Sequence, residues 1–115
     1  MALSEAQIQQ QCVVWFRNNY CRKGMNPRYC MFSVANEAAY SNKQYISTGV
    51  LPGVSDTIVI LPGKVLFIEF KTATGRQSDR QKEFEEIVTN LEYEYFICRS
   101  LKDFQDIICV YENSL

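Results

Sequence analysis

The sequence predicts a mixed α/β fold, one central sheet flanked by helices, in the order α-β-(α)-β-β-α-β-α. Three observations carry this. Two capping boxes, Ser4-Glu5-Ala6-Gln7 and Ser78-Asp79-Arg80-Gln81, each precede an apolar pattern at helical spacing. Two apolar runs, Asp56 to Leu61 and Lys64 to Lys71, are split only by Pro62-Gly63, which reads as an antiparallel hairpin. A helical pattern then separates the second of these runs from a third, Tyr93 to Cys98, and a helix between strands favours a parallel crossover.

The elements follow in order. After the first capping box, Ile8, Cys12, Trp15 and Phe16 fall on one helical face. Glu5 lies three residues before Ile8 and leans toward that face, where it either serves the helix dipole or has another purpose. Arg22 to Arg28 contains Gly24 and Pro27 and reads as a loop. Cys30, Phe32 and Val34 alternate and predict a short strand ending near Ala35. Residues 36–49 fit either a short helix or an irregular loop, and Pro52-Gly53 marks a turn. Phe84, Ile87, Val88 and Leu91 make the apolar face of the helix after the hairpin. Ser100 caps a last helix with Leu101, Phe104, Ile107, Ile108 and Tyr111 on its inner side.

The 115 residues suit a single domain, residues 1–115. No apolar run approaches the roughly 18–20 residues that span a bilayer. The start, MALSEAQ, has neither the basic nor the apolar region of a secretory signal, so a cytoplasmic location is expected. The five cysteines (Cys12, Cys21, Cys30, Cys98 and Cys109) show no CxxC spacing and read as reduced, mostly core residues. The chain has no histidine, which excludes Ser-His-Asp and Cys-His catalysis and histidine-ligated metals. What remains is chemistry on carboxylates, lysine, hydroxyls and thiols. Net charge is −1, but residues 1–48 hold five Lys/Arg against two acids, and the remainder seven against eleven. An acidic cluster that holds divalent cations would offset part of that second imbalance.

The hairpin carries the strongest chemical signal, Asp56-x₁₂-Glu69-Phe70-Lys71. Side chains alternate along a strand, so Glu69 and Lys71 share a face. A hairpin turning symmetrically about Pro62-Gly63 sets Leu61 opposite Lys64 and Asp56 opposite Glu69. Opposed residues have Cβ atoms about 4.5–5.5 Å apart. Two carboxylates so placed repel unless a cation lies between them, and Mg²⁺, which takes oxygen ligands and keeps several waters, suits them. Lys71 would then help position or deprotonate a water and stabilise developing charge. The Phe70 carbonyl, between the two key residues, is a further candidate ligand. An ordinary ion pair across a hairpin explains the same pattern. Against it, Val65 and Phe67 flank Glu69 on its own face while Leu66, Ile68 and Phe70 line the other, so both faces read as buried. The loop Thr72 to Gln77 leads into a helix N-terminus suited to phosphate contact. Gln81 lies one turn before Phe84 on the inward face, as part of the capping box or as a polar group aimed at the sheet.

The ordered set Gly53-Val54-Ser55-Asp56, Phe67-Ile68-Glu69-Phe70-Lys71 and Gly75-Arg76-Gln77-Ser78-Asp79-Arg80-Gln81 resembles the VRR-NUC family of nucleases. Glu5, Asn36 and Tyr95-Phe96-Ile97-Cys98-Arg99-Ser100 fit in order, so the resemblance covers nearly the whole chain. It implies a restriction-endonuclease-like (PD-(D/E)xK) fold. It implies Asp56 and Glu69 as metal ligands for Mg²⁺ or Mn²⁺, Lys71 as the catalytic lysine, Glu5 as an acidic partner and Gln81 as a supporting residue. Two positions depart from the family pattern: Ser55 stands where Pro is usual, and Asn36-Glu37-Ala38 where Asn-Gly-Gly is common. The expected activity is that of a structure-selective DNA endonuclease. The small stand-alone size resembles homodimeric resolvases of four-way (Holliday) junctions, a phage-like form, since a two-fold dimer can nick two opposed strands. Another metal-dependent nickase, flap or DNA-processing nuclease is one alternative, and a catalytically silent DNA-binding module is another.

Overall fold

The computed structural model describes residues 2–21, 29–34, 49 and 51–113. The predicted loop 22–28, Asn36 and the segment 36–48 lie outside the described residues. Seven elements follow along the chain: α1 (Glu5–Tyr20), β1 (Cys30–Ser33), β2 (Thr57–Leu61), β3 (Lys64–Phe70), α2 (Asp79–Asn90), β4 (Glu94–Cys98) and α3 (Leu101–Glu112). The four strands form one sheet in the order β1-β2-β3-β4, antiparallel at the first two junctions and parallel at the third. This is the expected mixed sheet with helices on both sides. Among the described residues no helix is long and apolar enough to cross a membrane.

Each helix starts where its cap predicts. Ser4 Oγ accepts from the Gln7 N–H, and Gln7 Oε1 accepts from the Ser4 N–H. Ser78 and Gln81 repeat this reciprocal pair at α2, and Ser100 Oγ accepts from the Asp103 N–H at α3. Such caps satisfy backbone donors that a helix leaves without partners. The β2–β3 hairpin has the predicted register, Leu61 opposite Lys64 through Thr57 opposite Ile68. Gly63 takes φ +69°, the left-handed conformation that a Pro-Gly turn requires of its second central residue.

The core lies between one face of the sheet and the α1/α3 pair. Met31, Val59, Leu61, Leu66, Ile68, Phe70 and Cys98 face Ile8, Cys12, Phe16, Phe104 and Ile108. Phe104 is the aromatic centre, with ring centroids 5.9 Å from Trp15, 6.0 Å from Phe16 and 6.4 Å from Phe70. The other face is covered by α2 over β3 and β4, where Phe67 meets Phe84 at 5.6 Å.

Three expectations are corrected. In β1 the buried residue is Met31, while Cys30 and Phe32 are exposed, because their parity points them to the side that α2 does not reach. In α2 only Val88 is fully buried; Ile87 and Leu91 are exposed, since the helix meets the sheet through Phe84, Gln81 and Val88 instead. All five cysteines are free thiols, but only Cys12 and Cys98 belong to the core; Cys30 and Cys109 are exposed.

Candidate active site

The end of the hairpin opposite the Pro62-Gly63 turn gathers the predicted residues. Asp56 immediately precedes β2 and is held from both sides. Its carbonyl accepts from the Val34 N–H at 2.9 Å, and its Oδ2 accepts from the Phe70 N–H at 2.7 Å. The β2–β3 register continued by one pair sets Asp56 opposite Glu69. Ser55, where the family favours Pro, is buried and donates from Oγ to the Thr57 carbonyl at 3.1 Å. That bond fixes the strand entry by a different means.

Glu69 is 1% exposed, an unusual place for a carboxylate. Its Oε2 accepts a short hydrogen bond from Gln81 Nε2 and lies 3.7 Å from Lys71 Nζ. Among the described residues its Oε1 is buried with no hydrogen-bond partner. Burial pushes the Glu69 carboxyl up to about 8, and the Asp56 charge pushes the same way. Lys71 and the nearby Asp56 backbone N–H oppose the rise, the latter without hydrogen-bonding geometry at Oε1, and the Glu5 charge adds to it. Lys71 is thus too little positive charge to offset the burial of this carboxylate and the acids beside it.

Lys71 extends the parallel pairing by one residue, its N–H donating to the Cys98 carbonyl at 3.1 Å. The residue is 8% exposed, so its aliphatic stem is buried and carries the ammonium to Glu69. A Cβ on Gly75 would come within 3.5 Å of Lys71 Cδ and 3.1 Å of Thr72 Oγ1, so the glycine keeps room for that stem. Arg99 Nη1 donates to the carbonyls of Thr72 and Gly75 at 2.6 and 2.8 Å and fixes the loop between β3 and α2.

Gln81 fills both roles that its sequence position offered. Its Oε1 accepts from the Ser78 N–H as part of the cap, and its Nε2 donates to Glu69. Gly53 ties the approach to Asp56 onto the same helix. It takes φ +89°, and a Cβ there would stand 2.5 Å from the Arg80 carbonyl oxygen. Only glycine permits that contact. Glu5 is exposed in the first turn of α1, close enough for its charge to reach Glu69. Among the described residues no three carboxylates or thiols close into a group able to hold a metal ion. The acidic pair is therefore Asp56 and Glu69, with Glu5 standing apart. The Phe70 side chain is in the core, and its N–H serves Asp56.

Sequence reasoning missed Gly53 as the lock between Asp56 and α2. It also missed the contact of Gln77 with Tyr95 and Glu85, at 3.3 and 3.0 Å from Gln77 Nε2. Helical spacing of Gln81 and Glu85 on α2 was the available signal for the second.

The architecture matches a solved structure of a VRR_NUC domain protein with a TM-score of 0.73 and 18% identity, covering 94% of this chain and 87% of that one. The chain has the fold of a VRR_NUC domain protein. The expected restriction-endonuclease-like architecture is thereby shown. No family model matches the sequence, and no curated protein matches it. On this fold Asp56, Glu69 and Lys71 lie together at one end of the hairpin, and Gln81 reaches Glu69 from α2.

The chemistry of these donors fits a hard divalent cation. Two carboxylates oppose each other, one has a buried oxygen without a partner among the described residues, and its proton affinity is raised by burial and then by the Asp56 charge. A single lysine at 3.7 Å does not offset both charges.

Proposed function

We propose that this chain belongs to the VRR-NUC family and is a metal-dependent endonuclease that hydrolyses DNA phosphodiester bonds. The observation that carries the reading is Glu69: a buried carboxylate with an unpartnered oxygen, flanked by Asp56 and Lys71 on the fold of a VRR_NUC domain protein. Asp56 and Glu69 would hold Mg²⁺ or Mn²⁺, with the Phe70 carbonyl as a further ligand and Glu5 adding negative field from α1. When bound, the cation supplies electrophilic stabilisation of the phosphate and an acidified water. The protein side of the work falls to neighbours. Gln81 holds Glu69 Oε2 in place, so Oε1 keeps one direction. Lys71 keeps a buried ammonium beside the reacting phosphate, where charge develops and water screens poorly.

The finer reading is a homodimer acting on four-way junctions in the cytoplasm. Its support is the two-fold symmetry of such a junction, whose opposed strands two copies of one site can match. The test is cleavage of labelled four-way junction, flap and linear duplex DNA with Mg²⁺, Mn²⁺ or EDTA, beside Lys71→Ala. Symmetric nicking of the junction that needs metal, and falls by about 10²–10³-fold in Lys71→Ala, supports it. Cleavage of flap or duplex with the junction untouched keeps the nuclease and removes the resolvase. DNA binding with no cleavage of any substrate favours a silent binding module.

A further inference from the structure

A second polar cluster lies on the α2-covered face of the sheet, beside Glu69. Tyr95 on β4 pairs with Phe67, and Glu69 is the next residue of β3 on that face. The Tyr95 ring rests against Phe84, with centroids 6.2 Å apart. Gln77 Nε2 donates to Glu85 Oε1 at 3.0 Å and to the Tyr95 hydroxyl at 3.3 Å. An ionised carboxylate only accepts, so Glu85 fixes which end of the Gln77 amide is the nitrogen. Both amide protons are then in use.

The Tyr95 oxygen therefore receives a bond, and its own proton points elsewhere. Among the described residues that proton has no acceptor in the hydrogen-bond network. Burial first, and then the Glu69 charge, raise the phenol well above its ordinary range. The hydroxyl stays a neutral donor at every working pH. A neutral donor suits this place: an arginine here would pair with Glu69 and compete with a cation for it. The exposed Arg76 and Arg80 lie on the adjoining loop and first helical turn, so the same edge offers positive charge to an anionic strand.

We infer that Tyr95 is a further substrate-contacting residue, whose hydroxyl donates to a phosphate oxygen of the bound nucleic acid beside the scissile linkage. Gln77, anchored by Glu85, is the positioning residue that aims it. The inference rests on the nuclease reading and adds a contact to it. It separates two functions on one face: Asp56, Glu69 and Lys71 act on the scissile phosphate, while Tyr95 holds a neighbouring one.

The test compares wild type, Tyr95→Phe, Gln77→Leu and the double variant in steady-state cleavage and in DNA binding with Ca²⁺. Tyr95→Phe keeps the ring and its packing. It should raise KM and Kd for DNA about threefold to tenfold, the loss of one hydrogen bond to a charged acceptor. The change in kcat should stay below about twofold, with an unaltered Mg²⁺ requirement. Gln77→Leu should weaken binding similarly, and the double variant should be no weaker than Tyr95→Phe. Single methylphosphonate linkages, walked along the strand, give the decisive readout. One position should weaken wild type and leave Tyr95→Phe unchanged. Equal KM and Kd for wild type and Tyr95→Phe, or equal sensitivity of both at every linkage, overturns the inference while the nuclease stands. A wild type that cleaves nothing with either metal removes the nuclease reading, and this contact with it.

Discussion

The two faces of the sheet are built on opposite rules. Toward α1 and α3, the inward side chains of β2 and β3 are apolar apart from Thr57, whose hydroxyl bonds the Ile68 carbonyl at 3.3 Å. Toward α2, the same strands bury Glu69 and Lys71, and α2 sends Gln81 to meet them. One face gains stability by excluding water from carbon. The other gives some of it up, since a buried carboxylate with an unpartnered oxygen costs free energy that the first face must offset. β3 carries both patterns at once through the two-residue period of a strand.

The contrast can be broken most strongly from the apolar side. Phe104→Ala should cost about 3–5 kcal/mol, the usual range for an aromatic deleted from a packed core. A domain of this size has about 5–15 kcal/mol in all, so urea melts should show a midpoint shifted far down, or no folded baseline. Gly53→Ala comes next. The added Cβ meets the Arg80 backbone at 2.5 Å in a left-handed conformation, so either the loop or α2 must shift. A loss of about 2–3 kcal/mol is expected, with cleavage falling further than the melt accounts for, because Asp56 and Gln81 lose their common anchor.

The polar face is sharpened by pH. Glu69 is held near 8 in the folded chain against an ordinary 4.5, so the folded state binds its proton more tightly than the unfolded state does. The associated stability is full below about 4.5 and is lost as pH rises through about 8. Metal-free protein should therefore melt lower at pH 8 than at pH 5, by an amount on the order of a few kcal/mol. Glu69→Gln should flatten that slope, melt higher than wild type at pH 8 and have no cleavage activity. Adding Mg²⁺ at pH 8 should raise the wild-type melt and leave Glu69→Gln unmoved. A wild-type melt independent of pH and of metal would show that Glu69 is not the strained group described.

The smallest effect separates two caps of one type. Ser4→Ala and Ser78→Ala each remove one capping bond, and each should cost about 1 kcal/mol. Only Ser78→Ala should also lower cleavage, because Gln81 shares its amide between that cap and Glu69. Equal activity of the two variants would separate the cap from the site.

Local signals were legible wherever the answer was local. The three caps, the Pro62-Gly63 turn and the β2–β3 register follow from neighbouring residues, and the register alone sets Asp56 opposite Glu69. The face of β1 was not legible. Cys30, Phe32 and Val34 outnumber Met31 as apolar residues, yet the position of α1 decides the parity, and a strand of four residues holds too little pattern to reveal it. Ile87 and Leu91 misled for a related reason: α2 reaches the sheet with Gln81 and Phe84, which turns part of its apolar stripe to solvent. The Gly53–Arg80 contact joins residues 27 apart in sequence, and no period or spacing announces it.

The tip of the hairpin has a practical consequence. Pro62 and Gly63 are exposed, and a Cβ at Gly63 would meet nothing within 4 Å. By strand rise the tip lies roughly 17–20 Å from Asp56, at the far end of the same rigid ladder. A fluorophore attached at Pro62 would ride on the element that carries the acidic residues without touching them. The hairpin thus offers a fixed mounting point from which the arrival of a labelled DNA strand at the site can be timed.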